Sequence, residues 1–311
     1  MGKRYNSYSS FLKRKFGCRV QKVSVDVGFT CPNRDGRITR GGCIYCNNDS
    51  FVPPYARSRY SLDYQITTGM EYLRRRFKAE KFIVYFQAYT NTYESVERLE
   101  RLYREALSYS DVIGIAIGTR SDCIDEEKLD LLEELARDWF VTVEYGIESI
   151  YDKTLSFVNR GHNYQSVVDA IELTRGRGIY IGAHIIVGFP TETEDEMLAM
   201  ADEVSRLGID FLKVHNLHIV RNTPLARLYA KEPFHLFSYE EYLDFISRFL
   251  ERLSPDIVIE RLFTDTPREL LIAPLWNKTH TEILKGIEEE LEKKNTYQGR
   301  LFREHLTRVN P

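Results

Sequence analysis

Between residues 20 and 217, short runs rich in β-branched and aromatic residues alternate with longer amphipathic segments, and this alternation constrains the fold more than any other feature. The spacing predicts strands at Val20–Val27, Phe82–Gln87, Val112–Ile117, Val141–Ile147, Ile179–Val187 and Asp210–Leu217. Helices are expected between them at Ser61–Ala79, Ser95–Leu107, Asp125–Ala136, Tyr164–Arg175 and Glu194–Leu207. Strands joined through helical crossovers run parallel, and runs such as Phe82–Phe86 and Ile113–Ile117 lack the alternation of a strand with one wet face. The fold class is therefore α/β, a partial parallel (β/α)6 barrel with N- and C-terminal extensions. After Leu217 the pattern changes to a helix at Tyr239–Arg252, one strand at Ile257–Leu262 and a charged helix at Thr281–Lys294. Residues 1–19 are expected to form a basic N-terminal extension, 20–220 the barrel core, and 221–311 a C-terminal extension packed on the barrel.

With 311 residues, 43% of them hydrophobic and 29% charged, the chain can bury one large core, which excludes disordered, collagen-like and coiled-coil architectures. No run approaches the roughly 18 apolar residues of a membrane span, and Met1–Tyr5 lacks the apolar core of a signal peptide. A cytoplasmic protein with no membrane association is expected. Net charge is −3, but residues 1–60 hold 12 Lys and Arg against 3 Asp and Glu, and the rest of the chain holds 31 against 43. A second basic run, Arg74–Arg76 with Lys78 and Lys81, follows. Such runs serve either as solvated surface or as the footprint of a phosphate-rich partner. The N-terminal cations Lys3, Arg4, Lys13, Arg14, Lys15 and Arg19 are interleaved with Tyr5, Tyr8, Phe11 and Phe16, a mixture that suits RNA and equally suits docking of a helix on the barrel.

Three of five cysteines, Cys31, Cys43 and Cys46, fall within sixteen positions directly after the first strand. That loop lies at the strand's C-terminal end, where barrel enzymes carry their chemistry. Three thiolates can hold three irons of a four-iron, four-sulfur cluster and leave the fourth open. A zinc knuckle at Cys43-x-x-Cys46 is the alternative, but the loop offers no fourth ligand: Cys18 sits at the opposite end of the strand, and Cys123 is distant and reads as a small buried hydrophobe. There is no Gly-x-Ser-x-Gly, no P-loop, no His-Glu-x-x-His and no Gly-x-Gly-x-x-Gly after a strand, which weakens hydrolase, kinase and dehydrogenase readings.

The arrangement Cys31-x11-Cys43-Ile44-Tyr45-Cys46 resembles that of the radical S-adenosylmethionine enzymes. Its long first gap is similar to the branch that includes the catalytic subunit of Elongator. Cys31–Gly36, Tyr85–Tyr93, Gly118–Asp122, Asn159–His162 and His184–Pro190 resemble one bacterial subgroup of that branch. The resemblance implies a radical SAM barrel whose metal ligands are Cys31, Cys43 and Cys46, with a [4Fe-4S] cluster and S-adenosyl-L-methionine as cofactors and a 5′-deoxyadenosyl radical as the abstracting species. It implies a tRNA substrate, the wobble uridine, whose 5-carboxymethylaminomethyl group is converted toward 5-aminomethyl. An electron donor such as flavodoxin or ferredoxin and a downstream tRNA methyltransferase are the implied partners. The alternatives are a radical enzyme acting on a small metabolite or protein, and a zinc-stabilised RNA-binding protein.

By the same resemblance, cofactor-binding positions are Tyr45, Gln87, Thr119, Glu148, Arg160, His184, Ile186 and Gly188. Gln87 with Ala88-Tyr89-Thr90 replaces the Gly-Gly-Glu of many relatives. Arg160 is expected to pair with the methionine carboxylate through its forked donors. Glu144 and Glu148 bracket the end of the fourth strand, and two carboxylates there require that at least one bind something. His215 and His218 fall on opposite faces of a regular strand and make a poor metal pair. Trp276 is expected in the core.

Overall fold

In the computed structural model, residues 3–303 are described; residues 1–2 and 304–311, the outer ends of the two expected extensions, lie outside the described residues. The strands are β1 (Val20–Val25), β2 (Lys81–Phe86), β3 (Val112–Thr119), β4 (Phe140–Glu148), β5 (Tyr180–Val187), β6 (Phe211–Asn216), β7 (Ile219–Val220), β8 (Val258–Arg261) and β9 (Leu271–Ala273). The helices are α1 (Tyr8–Phe16), α2 (Pro32–Asp35), α3 (Leu62–Phe77), α4 (Val96–Leu107), α5 (Glu126–Ala136), α6 (Asp152–Phe157), α7 (Gln165–Thr174), α8 (Glu194–Arg206), α9 (Pro224–Lys231), α10 (Tyr239–Arg252) and α11 (His280–Lys293).

All six strands expected from the alternation are present, and they pair in parallel in chain order. The sheet gains a seventh member, because β8 from the C-terminal segment pairs in parallel with β6. The helices start where side chains can take up the free backbone N–H groups. Ser61 and Asp125 accept from the first turns of α3 and α5, and Thr193–Glu196, Ser238–Glu241 and Thr279–Glu282 form capping boxes on α8, α10 and α11. No helix among the described residues is long and apolar enough to cross a membrane.

The sheet curls so far that Lys22 Nζ of β1 lies 2.6 Å from Glu260 Oε1 of β8. Its outer face packs on the helices, with Val23, Phe86, Ile115, Val143, Ile185 and Val214 buried there. Its inner face is layered. At the N-terminal end of the strands Val20, Ile83, Phe140, Phe211 and Val258 form an apolar floor. Helix α1 closes that floor: Leu12 is buried in it, and the Tyr8 and Phe11 rings each stand 5.2 Å from Phe211. Tyr8, Phe11 and Phe16 of the N-terminal segment therefore seal the barrel bottom, while Tyr5 joins the core outside the sheet, and Lys13, Arg14 and Lys15 are left exposed. The second basic run is also occupied locally. Arg74 and Lys81 pair with Asp111, and Arg75 pairs with Glu71 one turn away.

Candidate active site at the barrel mouth

Directly after β1 the chain turns into the cysteine loop across the C-terminal ends of the strands. Cys31 precedes α2 and its carbonyl accepts the N–H groups of Arg34 and Asp35, while Cys46 N–H donates to Cys43 O at 3.0 Å. Arg34 Nη2 donates to Cys46 O at 3.0 Å, which ties the two ends of the loop together. Burial pushes the Cys46 thiol up; the Arg34 guanidinium opposes this, and the sulfurs of Cys43 and Cys31 are near enough to add to the rise.

The loop is held by the segment after α6. Ile44 N–H donates to Val158 O at 3.0 Å, Asn159 Nδ2 donates to Gly42 O at 2.9 Å, and Asn33 Nδ2 donates to Asn159 O at 2.5 Å. Gly161 adopts φ +80°, and a Cβ there would stand 2.5 Å from Asn33 Oδ1, so glycine is required for both the turn and the close approach. These contacts carry Arg160 into the mouth, where it is 6% exposed. Its Nη1 donates to Cys43 Sγ at 3.8 Å and its Nη2 to Gly146 O at 2.5 Å, and Glu148 Oε1 lies 3.5 Å away. A Cβ on Gly146 would stand 2.6 Å from both Arg160 Nη2 and Glu148 Oε1. The register of β4 against β5 shifts between Gly146 and Glu148, and Glu148 takes φ +67°, a strained conformation for a residue with a side chain. The bulge sets Glu148 beside Arg160.

Below the mouth lies a layer of buried charge. Glu144, 1% exposed, accepts from Lys22, from Lys213 at 2.5 Å and from His184 Nε2 at 2.8 Å, and Lys213 Nζ also meets Tyr85 Oη at 3.1 Å. Burial alone would raise the Glu144 carboxyl; the charges of Lys213 and Lys22 and the His184 hydrogen bond outweigh it and hold the group well below the usual carboxylate range. Burial depresses His184 and His215, whose rings stand 5.6 Å apart above this layer.

The structure brings most of the expected positions together. Gln87 follows β2 into the mouth and accepts from Ser24 Oγ at 3.0 Å. Tyr45 packs its ring 5.9 Å from Phe189, in an apolar cluster with Ile186 and Leu217. Gly188 takes φ +103°, with its N–H directed at Met197 Sδ. Two expectations need correction. Thr119 does not face the mouth: Gly118 pairs in register with inward-facing Glu144, so Thr119, the next residue, turns outward, where its hydroxyl lies 2.6 Å from that of Thr92. Glu144 does not mark the strand end but sits inside the charged layer. Cys123 is buried, its thiol pushed up to about 12, chiefly by burial. His218 lies beyond β6 and bonds Thr266. Trp276 is half-buried and donates to Phe237 O.

The sequence pattern gave no role to Lys22, Lys213 and Glu260, nor to Tyr85 and Arg120 inside the motifs that contain them; Arg120 pairs with Asp122 and donates to Arg160 O at 2.8 Å. The signal was present: a lysine in the middle of an otherwise apolar strand, as in Phe211-Leu212-Lys213-Val214, has to find a buried partner.

The donor set fits an iron–sulfur cluster. Among the described residues no three His, Cys, Asp and Glu side chains converge on one point as a single metal ion requires. A cubane asks for something different, one thiolate on each of three separate irons, and the three cysteines of this loop supply that. Arg160 Nε is buried beside them with no partner among the described residues, a donor left for a bound group.

Comparison with known proteins agrees. Residues 31–204 match the radical SAM superfamily and residues 209–293 the radical SAM C-terminal domain. The Bacillus subtilis protein YtqA is 35% identical over 300 residues, covering 96% of this chain and 93% of its own. Elongator complex protein 3 of Homo sapiens is 26% identical over 185 residues, 58% of this chain and 32% of that one. Among solved structures the archaeal Methanocaldococcus infernus Elp3 superposes with a TM-score of 0.68 at 19% identity, over 90% of this chain and 64% of that one, a likeness of fold. A cysteine loop over a curled parallel sheet and sequence matches along nearly the whole length lead to one assignment: this chain belongs to the radical SAM superfamily, with homology to Elongator complex protein 3.

Proposed function

We propose that this radical SAM enzyme acts on tRNA, converting the 5-carboxymethylaminomethyl group of the wobble uridine toward 5-aminomethyl ahead of a methyltransferase. The observation that carries the reading is the basic rim beside the cysteine loop. Arg34, Arg59 and Tyr89 line a surface cavity of about 760 Å³ together with Asp26 and an Arg57–Asp49 ion pair, and Arg37 and Arg40 of the cysteine loop are exposed. Arg34 lies over the Tyr89 ring at 5.6 Å and Arg37 over Tyr93 at the same distance. Cations backed by aromatic rings suit a phosphate backbone and an unstacked base. The homology to Elongator complex protein 3 and the subgroup motifs support the same substrate.

When bound, a [4Fe-4S] cluster with S-adenosylmethionine supplies a hydrogen-abstracting radical. Cys31, Cys43 and Cys46 would hold three irons. Arg160 offers its unpartnered Nε to the cofactor's carboxylate, Gln87 stands ready on the β2 side, and the Tyr45–Phe189–Ile186 cluster keeps water from that wall. Glu148 fixes Arg160. Reduction calls for an electron donor such as flavodoxin or ferredoxin.

Mass spectrometry of tRNA nucleosides from cells with and without the gene tests the substrate. Accumulation of the 5-carboxymethylaminomethyl nucleoside on deletion supports the proposal, and an unchanged profile removes RNA as the substrate.

A further inference from the structure

Arg261 ends β8, and among the described residues its guanidinium has no hydrogen-bond or ion-pair partner. The register of β6 against β8 shifts between Leu212 and Lys213, so Arg261 rather than Glu260 stands across from Lys213. Glu260 turns into the charged layer and meets Lys22 at 2.6 Å and Lys213 at 3.2 Å. The Arg261 charge bears on Tyr85, Lys213 and His215, all on the inner face of the sheet. Among the described residues no acceptor lies within hydrogen-bond or ion-pair distance of it. Asp265, which its charge also reaches, pairs with His280 at 3.4 Å instead. Arg261 is half-buried, and its nitrogens are not sealed from solvent.

The charges inside the barrel do not balance. Lys22 and Lys213 are matched by Glu144 and Glu260, and the depressed imidazoles of His184 and His215 are neutral near pH 7, which among the described residues leaves Arg261 as a positive charge with no ion-pair partner. Across the lumen β3 presents Gly118, where a Cβ would make only ordinary contacts with Phe86 O at 3.4 Å and Tyr85 Oη at 3.6 Å, while the space over Gly146 of β4 is taken by Arg160 and Glu148. A half-buried cation has lost part of its hydration without gaining a counter-ion, and an anion arriving there regains it.

We propose that Arg261, with His215 beside it, forms a subsite inside the barrel for an anionic group, a carboxylate or a phosphate, of the molecule that enters the mouth. The subsite rests on the reading of the mouth as the substrate entrance, but its test needs no turnover. A carboxylate would correspond to the 5-substituent of the proposed uridine, and a phosphate to the nucleotide backbone.

The test is histidine-selective NMR of the cluster-reconstituted protein, titrated separately with acetate and inorganic phosphate against chloride at equal ionic strength. Saturable displacement of the His215 ring signals is expected with one of the two anions and not with chloride, and the responding anion identifies the source. Arg261→Gln weakens that binding about tenfold or more; Arg261→Met serves if the glutamine variant does not fold. A shift reproduced by chloride, no saturable shift with either anion, or an unchanged response in both variants overturns the subsite. Because binding is read directly, its failure leaves the tRNA proposal standing, and failure of the tRNA proposal leaves the subsite standing.

Discussion

Arg160 and Cys43 are 117 residues apart in the chain, and the guanidinium Nη1 stands 3.8 Å from the thiol sulfur. The contact joins the segment after α6 to the cysteine loop, so whatever the loop holds lies against a fixed positive charge. Arg160→Gln keeps the size but removes that charge and the forked donor geometry. We expect S-adenosylmethionine affinity to fall about tenfold, the scale of a lost charge-assisted hydrogen bond, with iron content unchanged. Equilibrium dialysis beside iron analysis reads both; unaltered affinity would remove Arg160 from cofactor binding.

Glu144 neutralises Lys22 and Lys213 from a position 1% exposed. Glu144→Ala leaves two ammonium groups sharing the single carboxylate of Glu260. Breaking a buried pair on one side costs about 3–5 kcal/mol, and urea denaturation should show a loss of that size. A loss below about 1 kcal/mol would mean that water reaches the layer.

Burial holds the His218 imidazole at about 4, against an ordinary value near 6.5, with Asp265 opposing the shift. Above the ordinary value both native and unfolded chains carry it neutral, so it contributes no pH dependence there. As pH falls from 6.5 toward 4 the unfolded chain takes up a proton that the native protein refuses, and stability falls by about 1.4 kcal/mol per pH unit. His218→Gln should flatten the stability profile in that window by up to about 3 kcal/mol; a profile as steep as the parent's would show that the imidazole is already protonated in the folded state.

Arg37, Arg40 and Arg59 are exposed on the rim, and the substitution of all three by glutamine leaves the barrel contacts in place. Each phosphate contact adds about one to the salt dependence of nucleic-acid binding. The triple variant should therefore bind tRNA more weakly with a shallower salt slope, by about two to three, in filter binding across a salt series. Equal slopes would place the RNA elsewhere.

The sheet was legible because each crossover helix carries its own apolar stripe and each strand a run of inward and outward hydrophobes. The cysteine loop was legible because ligand spacing is local. What escaped is set by register. Thr119 and Gly118 are neighbours in sequence, and only the pairing of Gly118 with Glu144 decides which of them faces the mouth. Arg261, rather than Glu260, stands across from Lys213 because of a shift in register. The charged layer draws Lys22, Glu144, Lys213 and Glu260 from four strands, and no local pattern joins residues so far apart. The strand at Ile257–Leu262 was visible, but its place as a seventh parallel member depends on how far the sheet curls.

The most direct measurement joins the cysteine loop to the substrate: cluster-reconstituted protein, S-adenosylmethionine, a reductant and tRNA from cells lacking the gene, analysed for 5′-deoxyadenosine and for modified nucleosides. 5′-Deoxyadenosine is expected to form while 5-carboxymethylaminomethyl nucleosides give way to 5-aminomethyl nucleosides, and Cys43→Ala, still folded, is expected to yield neither. Turnover in the Cys43→Ala variant would contradict the ligand assignment, and 5′-deoxyadenosine formed by the parent protein with no change in any tRNA nucleoside would contradict the substrate.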